Sequence, residues 1–499
     1  MVKSKISSRL QSYQTERLSK IPTMASAISK IIDSFKEQNR KLVEDAIYFF
    51  ASYKDERSTL QELKNDLVRQ NSHISVIEKY KKDHGKLPKI KGQESTGKFL
   101  QSLYVASDKG KKQFNELQQK MQLEKVKRYE NLDHLADNML DLLDGPKIFS
   151  QFLGTIALST PLPEEKVRCV RNEKYKPIYI AALTVALFDK VRCYFDFESD
   201  YLKHYISSIF LGKYKSLDMH DPQLPEEIKI AYRNEILKPI AKAALIQFIG
   251  SYSPEAEAIF DGDRYRALTV PERDELIQVM SEKSIHYLKY AIGIPTKRFD
   301  KKEERESYQK YESTKLRFML DILENHNNKQ HELGNLIRIP MIYSSFIVST
   351  KPEFEYQKIY EAYDIIEQGI SYGNYRPLYA KLFLKIIGKF PVGSGIFFIS
   401  NESGRIERAI VSSLYPRNVE NPVCKQVTRN EIQALSKHEV IVSKATNVFY
   451  EDVRENSEFS DEFYQLRFNN EYTWNANTLW EVQIPAITFW KKEGTYKEN

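Results

Sequence analysis

The sequence predicts a mainly α protein: an N-terminal helical module, a larger helical core and a small C-terminal β unit. Three observations carry this expectation. Apolar residues recur at three- and four-residue spacing through most of the chain before Gly388, the period of one helix face. Glycine (18) and proline (19) are scarce among 499 residues, which leaves few breaks between helical stretches. After Gly388 the pattern changes to short apolar runs separated by Gly, Asn and Pro, the punctuation of strands and turns.

The first unit spans residues 1–150. Ile28, Ile31, Ile32 and Phe35 fall at helical spacing, as do Leu42, Ile47 and Phe50. Tyr53–Ile77 and Gln113–Leu143 repeat the pattern among many Lys, Glu and Gln. His84–Gly97, rich in Gly, Lys and Pro, predicts a loop, so a helical hairpin or short bundle is the simplest arrangement. Pro161–Pro163 mark a boundary. The second unit spans residues 165–389. Ala181–Tyr194 and Ile236–Gly250 are apolar enough to be buried helices, whereas Thr296–Tyr311 is almost wholly polar and predicts an exposed excursion. In the third unit, residues 390–499, Ile396–Ser400, Ile406–Ser412 and Val440–Val442 predict short strands. Its tail adds a strand-like run, Leu479–Ile487, and all three tryptophans, Trp474, Trp480 and Trp490.

Composition bounds the function. Hydrophobic residues at 41% and charged residues at 29% fit an ordinary globular protein. Cys169, Cys193 and Cys424 show neither a close pair nor metal-type spacing, which argues against a disulfide framework or zinc site and suits a reducing compartment. Met1–Lys20 lacks the apolar stretch of a secretory signal, and Ile178–Phe188 and Ile240–Gly250 are too short to cross a bilayer. A cytoplasmic location is the expectation. The net charge of +7 is uneven, because residues 1–130 hold 27 Lys and Arg against 16 Asp and Glu. One reading is a basic arm for an acidic protein, nucleic acid or anionic lipid. The other, favoured by interspersed acids and few aromatics, is a solvated helical surface. Phosphate-loop, nucleophile-elbow, His-Glu-x-x-His and helix-turn-helix signatures are missing, which disfavours kinases, nucleases and nucleic-acid binding.

Several blocks carry a family resemblance. Positions 243–250 read Ala-Ala-Leu-Ile-Gln-Phe-Ile-Gly. Leu268-Thr269 is followed by Pro271-Glu272-Arg273. Asp321–Asn327 reads Asp-Ile-Leu-Glu-Asn-His-Asn, and Leu384–Ser394 ends in Gly-Lys-Phe-Pro-Val-Gly-Ser before the turn at Asn401–Gly404. In this order the blocks resemble the HD-GYP branch of the bacterial HD phosphohydrolases, over roughly residues 175–425. The resemblance implies a helical core in which His and Asp hold iron or manganese, and metal-activated water hydrolyses cyclic di-GMP.

The implied ligand positions are substituted. The signature His-Asp pair becomes Gln247-Phe248, and the lysine that follows becomes Ser251. A His-Pro ligand falls on Met280, the paired histidines fall on Asn325 and His326, and the last metal aspartate falls on Ser344. No histidine stands near Tyr175-Lys176, and the Gly-Tyr-Pro loop is missing before Arg338. One imidazole cannot hold a metal cluster. The resemblance therefore implies a degenerate, non-catalytic member with no metal and no cofactor, in which Phe248 and Met280 fill the vacated pocket. His326 is expected at the surface or half-buried. Function would come from contacts with unidentified protein partners, a homodimer included, through the N-terminal helices and the aromatic-rich tail.

Two alternatives stay open. A non-hydrolytic cyclic di-GMP sensor would draw on Arg264, Tyr265, Arg266 and Arg376 for phosphate pairing and guanine stacking, although solvated surface arginines are commoner. A metal hydrolase with a relocated site would draw on His204, His220, His286, His331 and His438. Its literal His220-Asp221 pair lies in a polar loop before Pro222 and Pro225, which reads as a turn.

Overall fold

The computed structural model describes residues 24–143, 145–159, 165–427, 439–456, 460–467 and 469. It is mainly helical, with a four-stranded antiparallel sheet near the C-terminal end. The runs at Met1–Lys20, Pro161–Pro163 and Leu479–Ile487, the three tryptophans and His438 lie outside the described residues.

Two helices, α1 (Met24–His84, 61 residues) and α2 (Thr96–Leu143, 48 residues), form an antiparallel hairpin. Lys and Glu three or four apart support each helix, as in Arg40 with Glu37 and Glu44. Cross-helix pairs set the register: Asp45 with Arg128, Glu56 with Lys120, Asn71 with Ser107 and Glu78 with Tyr104. Gly110 lies directly under Leu67, so the helices touch where a side chain is missing. The loop expected at His84–Gly97 occupies residues 85–95.

The hairpin has two unlike halves. Its base is built into the core: Phe35 against Phe152, Phe49 against Tyr287 and Tyr53 against Tyr290, with Lys238 and Arg233 bonded to Asp137 and Asp141. The last contacts of this kind are Arg57 over the Tyr290 ring and Thr296 bonded to Gln122. Every described hydrogen bond, ion pair and ring contact of residues 58–121 lies within the hairpin. At 1.5 Å per residue, Arg57 to His84 is a shaft about 40 Å long.

The core follows as α3 (Pro146–Ser159), α4 (Glu165–Tyr194), α5 (Asp200–Phe210) and α6 (Glu226–Tyr232). A π turn (Arg233–Leu237) then leads into α7 (Lys238–Ile246). From Ile178 to Val191 all but Lys190 on α4 are buried, because apolar residues occupy every face of that stretch. It is the central helix, packed by α7, α11 (Glu332–Ile347) and α13 (Pro377–Ile387). The intervening helices are α8 (Pro254–Phe260), α9 (Val270–His286), α10 (Lys302–Asn325) and α12 (Glu361–Ser371). Thr269 caps α9 through a capping box with Glu272, so the Thr-Val-Pro-Glu segment opens a helix for a local reason.

Two expectations are corrected here. The buried helix read as Ile236–Gly250 ends at Ile246. A 3-10 turn (Ile249–Tyr252) follows, and the Ser284 hydroxyl donates to the Gln247 carbonyl and accepts from the Gly250 N–H. The charged stretch Thr296–Tyr311 is exposed as expected, but only up to Lys301 does it leave the helices, since from Lys302 it is the start of α10.

The sheet is a meander, β1 (Gly395–Ile399), β2 (Ile406–Val411), β3 (Val423–Val427) and β4 (Val440–Ile441), in that order. Ile396 pairs with Ala409, Ile410 with Lys425 and Cys424 with Val440. Strand β3 was not expected from the sequence. Short helices at Glu451–Glu455 (α14) and Asp461–Arg467 (α15) follow. One buried apolar cluster runs from Ile32 and Phe35 of the hairpin base, through α4, to Ile396, Ile410, Cys424 and Val442.

Candidate functional site

The six substituted ligand positions fall into three neighbourhoods. Gln247, Phe248 and Met280 lie where the 3-10 turn Ile249–Tyr252, just beyond α7, packs on α9. Gly250 makes this possible: a Cβ there would collide with the Met280 carbonyl and lie 2.7 Å from the Ser284 nitrogen, so only glycine lets the two backbones approach. Gln247 is buried, its amide donating 3.1 Å to the Ala244 carbonyl while its Oε1 has no partner among the described residues. Phe248 and Met280 are only half-buried, so they do not plug an interior cavity as the sequence led us to expect. Phe248 instead lies under the Lys176 ammonium, 5.8 Å from its ring centroid. Burial and the neighbouring Lys351 push the Lys176 ammonium down to about 8.

Asn325 and His326 sit elsewhere. The Asn325 carbonyl packs against Gly334 in the first turns of α11, and its amide donates to the Asp321 carbonyl at 2.8 Å. His326 caps α10 and is 3% exposed, which corrects the expected surface or half-buried placement. Its Nδ1 donates 2.6 Å to the Leu323 carbonyl, and burial holds the imidazole below its usual range. Ser344 lies ten residues beyond Gly334, about 15 Å further along the helix axis. It is fully buried, and its hydroxyl donates 2.6 Å to the Pro340 carbonyl. No described hydrogen bond joins any two of the six positions, and among the described residues no three His, Cys, Asp or Glu are grouped as a metal site.

The four candidate nucleotide contacts are committed to the fold. Arg264 lies on the rings of Tyr252 and Phe260, pairs with Glu173 at 2.9 Å and with Glu257, and donates to the Ser251 carbonyl. Tyr265 donates 2.6 Å to the same Glu173. Arg266 pairs with Glu272 and donates to the carbonyls of Ile259 and Phe260, and this partnership lowers Glu272 to about 2. Arg376 pairs with Glu198 and donates to the Gln330 carbonyl. Glu173 lies near the start of α4 and Glu198 beyond its end, so about 30 Å of helix separates Arg376 from the other three. They are structural side chains rather than the solvated arginines expected, and they do not converge on one ligand.

Two groups that the sequence did not single out stand out in the core. Glu332, fully buried at the start of α11, accepts from the backbone N–H groups of Glu198 (2.6 Å) and Ser199 (2.5 Å), placing its negative charge at the N-terminus of α5. Arg192 is wholly enclosed between the rings of Phe210 and Tyr232 and paired with Asp189 at 2.9 Å. His220, the literal His-Asp candidate, lies in the irregular segment between α5 and α6, where its N–H donates to Asp218. No family model, curated protein or solved structure matches this chain. Among the described residues, no helix is long and apolar enough to cross a membrane.

Proposed function

We propose that the protein is a non-catalytic relative of the HD-GYP phosphodiesterases that acts in bacterial signalling or complex assembly through protein contacts. The single observation that supports this reading is the chemistry at the end of α7. An amide and a phenyl ring stand where the resemblance calls for a bridging carboxylate and an imidazole, and each is already engaged, Gln247 with Ala244 and Phe248 with Lys176. Phe248 carries no donor atom, and the Gln247 amide oxygen is a neutral ligand that cannot replace a bridging carboxylate. On this reading function falls to the surfaces, and the outer half of the hairpin makes no described hydrogen bond, ion pair or ring contact with the rest of the molecule.

The deciding experiment pairs elemental analysis of the purified protein with a cyclic di-GMP hydrolysis assay in added iron or manganese. The expected result is far less than stoichiometric metal and no hydrolysis above buffer. Stoichiometric metal with turnover would overturn the proposal. Calorimetry with cyclic di-GMP tests the sensor alternative, and binding at micromolar concentration would replace the present reading with it.

A further inference from the structure

Within the hairpin, positive charge is not spread along the two helices but gathered at the tip. Lys79, Lys81 and Lys82 lie in the last turns of α1, Lys86, Lys89 and Lys91 in the connecting loop, and Lys98 in the first turn of α2. All seven are exposed, and only Asp83 and Glu94 oppose them between Lys79 and Lys98. The shaft is different. Its basic residues are nearly balanced by acids, in pairs such as Arg69 with Asp66, Lys111 with Asp108 and Lys120 with Glu56. No described ion pair involves any of the seven tip lysines.

Helix electrostatics do not account for the cluster. Cations at the end of α1 favour the helix dipole, but Lys98 sits in the opposite position, in a first turn of α2 that carries no acid, and three lysines are in the loop. Geometry suggests what does. Lys79 is five residues from the end of α1 and Lys98 two from the start of α2, so both lie within about 8 Å of the rod's end. That matches the distance over which exposed charges act at physiological salt, about 8 Å. A flat anionic surface touching the tip would therefore engage all seven at once.

The residue types favour lipid over nucleic acid. No arginine occurs between Arg69 and Arg128, so the planar bidentate phosphate contacts of a guanidinium are not offered. The Tyr80 ring is stacked on His84 at 4.2 Å and is not free to stack on bases. Lysine clusters without arginine or free aromatics suit the diffuse attraction of an anionic leaflet.

We infer that the end of the hairpin is a peripheral docking site for an anionic phospholipid surface, approached tip first. The inference stands on the lysine cluster alone and does not depend on whether the core is catalytic.

The test is sedimentation of the full-length protein with vesicles of phosphatidylcholine alone or of phosphatidylcholine with phosphatidylserine, at low and high salt, beside duplex DNA as competitor. Binding is expected to phosphatidylserine vesicles only, and to weaken as salt rises. Each lysine near an anionic surface is worth roughly fivefold in partitioning, so the triple change Lys81→Gln, Lys86→Gln, Lys89→Gln should lower it about a hundredfold. The double change Lys64→Gln, Lys109→Gln, on the shaft and about 20–30 Å from the tip, should leave partitioning unaltered. Circular dichroism would show that both variants keep their helix content. No binding to phosphatidylserine vesicles, with or without binding to DNA, or equal losses in tip and shaft variants would each overturn the inference.

Discussion

Gly250 shows how one residue decides the architecture of the candidate site. The turn Ile249–Tyr252 and the C-terminal part of α9 approach so closely there that any Cβ meets the Met280 carbonyl, a backbone atom that cannot rotate away. Gly250→Ala should therefore destabilise the fold by about 1–3 kcal/mol, the usual cost of overpacking, read as a lower urea midpoint with an unchanged m-value. A midpoint equal to wild type would mean the two helices can separate without loss. His326 offers a second handle. Burial holds its folded pKa below the unfolded value of about 6.5, so the unfolded chain takes up the proton first as pH falls. Its neutral form contributes fully above that value, and the contribution declines as pH drops toward the folded pKa, by at most about 1.4 kcal/mol per pH unit. His326→Gln should flatten that part of the stability profile relative to wild type between about pH 7 and 5. Parallel profiles would show that the imidazole titrates alike in both states.

At the scale of elements, the same hairpin holds two stability regimes. Its base shares buried apolar residues with the core, whereas between Arg57 and Gln122 only Ile74, Ile77 and Ser107 are buried. Two helices with so thin a seam open locally at low cost. Hydrogen exchange followed by mass spectrometry should find peptides from 62–118 exchanging well before those from 178–192. Equal protection would mean that something else covers the shaft. Much of this was legible in the sequence. The 3.6-residue period placed the long helices and the buried stretch of α4, because in each case one or every face was apolar, and the Gly, Lys and Pro content placed the loop after His84. Strand β3 escaped because Val423-Cys424-Lys425-Gln426-Val427 is short and follows Pro422, and its strand character comes from pairing with β2. The burial of His326 escaped for a related reason. Its neighbours Asn325, Asn327 and Asn328 read as surface, while the chain turns back so that Gly334 of α11 packs on the Asn325 and Asn328 carbonyls. The candidate site was legible as a set of residue types and illegible as a place, since the crossings that separate His326 from Gln247 depend on Gly250 and Gly334.

The whole molecule joins a continuous core to a lever that the core does not touch. The apolar cluster from Ile32 to Val442 ties the hairpin base, the helical core and the sheet together, so the only large protrusion among the described residues is the shaft. A globular chain of 499 residues has a radius of gyration of about 23 Å, and a rod about 40 Å long on one side must raise both that value and the maximum dimension. Glu56 and Lys120 already face each other across the hairpin, so a short Gly-Ser turn can replace residues 58–118 and keep that pair at the new end. Small-angle scattering of the full chain and of this shortened variant should differ by tens of ångströms in maximum dimension, while the helical core unfolds at nearly the same temperature in both. Both proteins keep the same chain ends, so the difference belongs to the shaft. If the two scattering curves superimpose, the hairpin folds back on the core in solution, and a tip held close to the core could not reach a surface end-on.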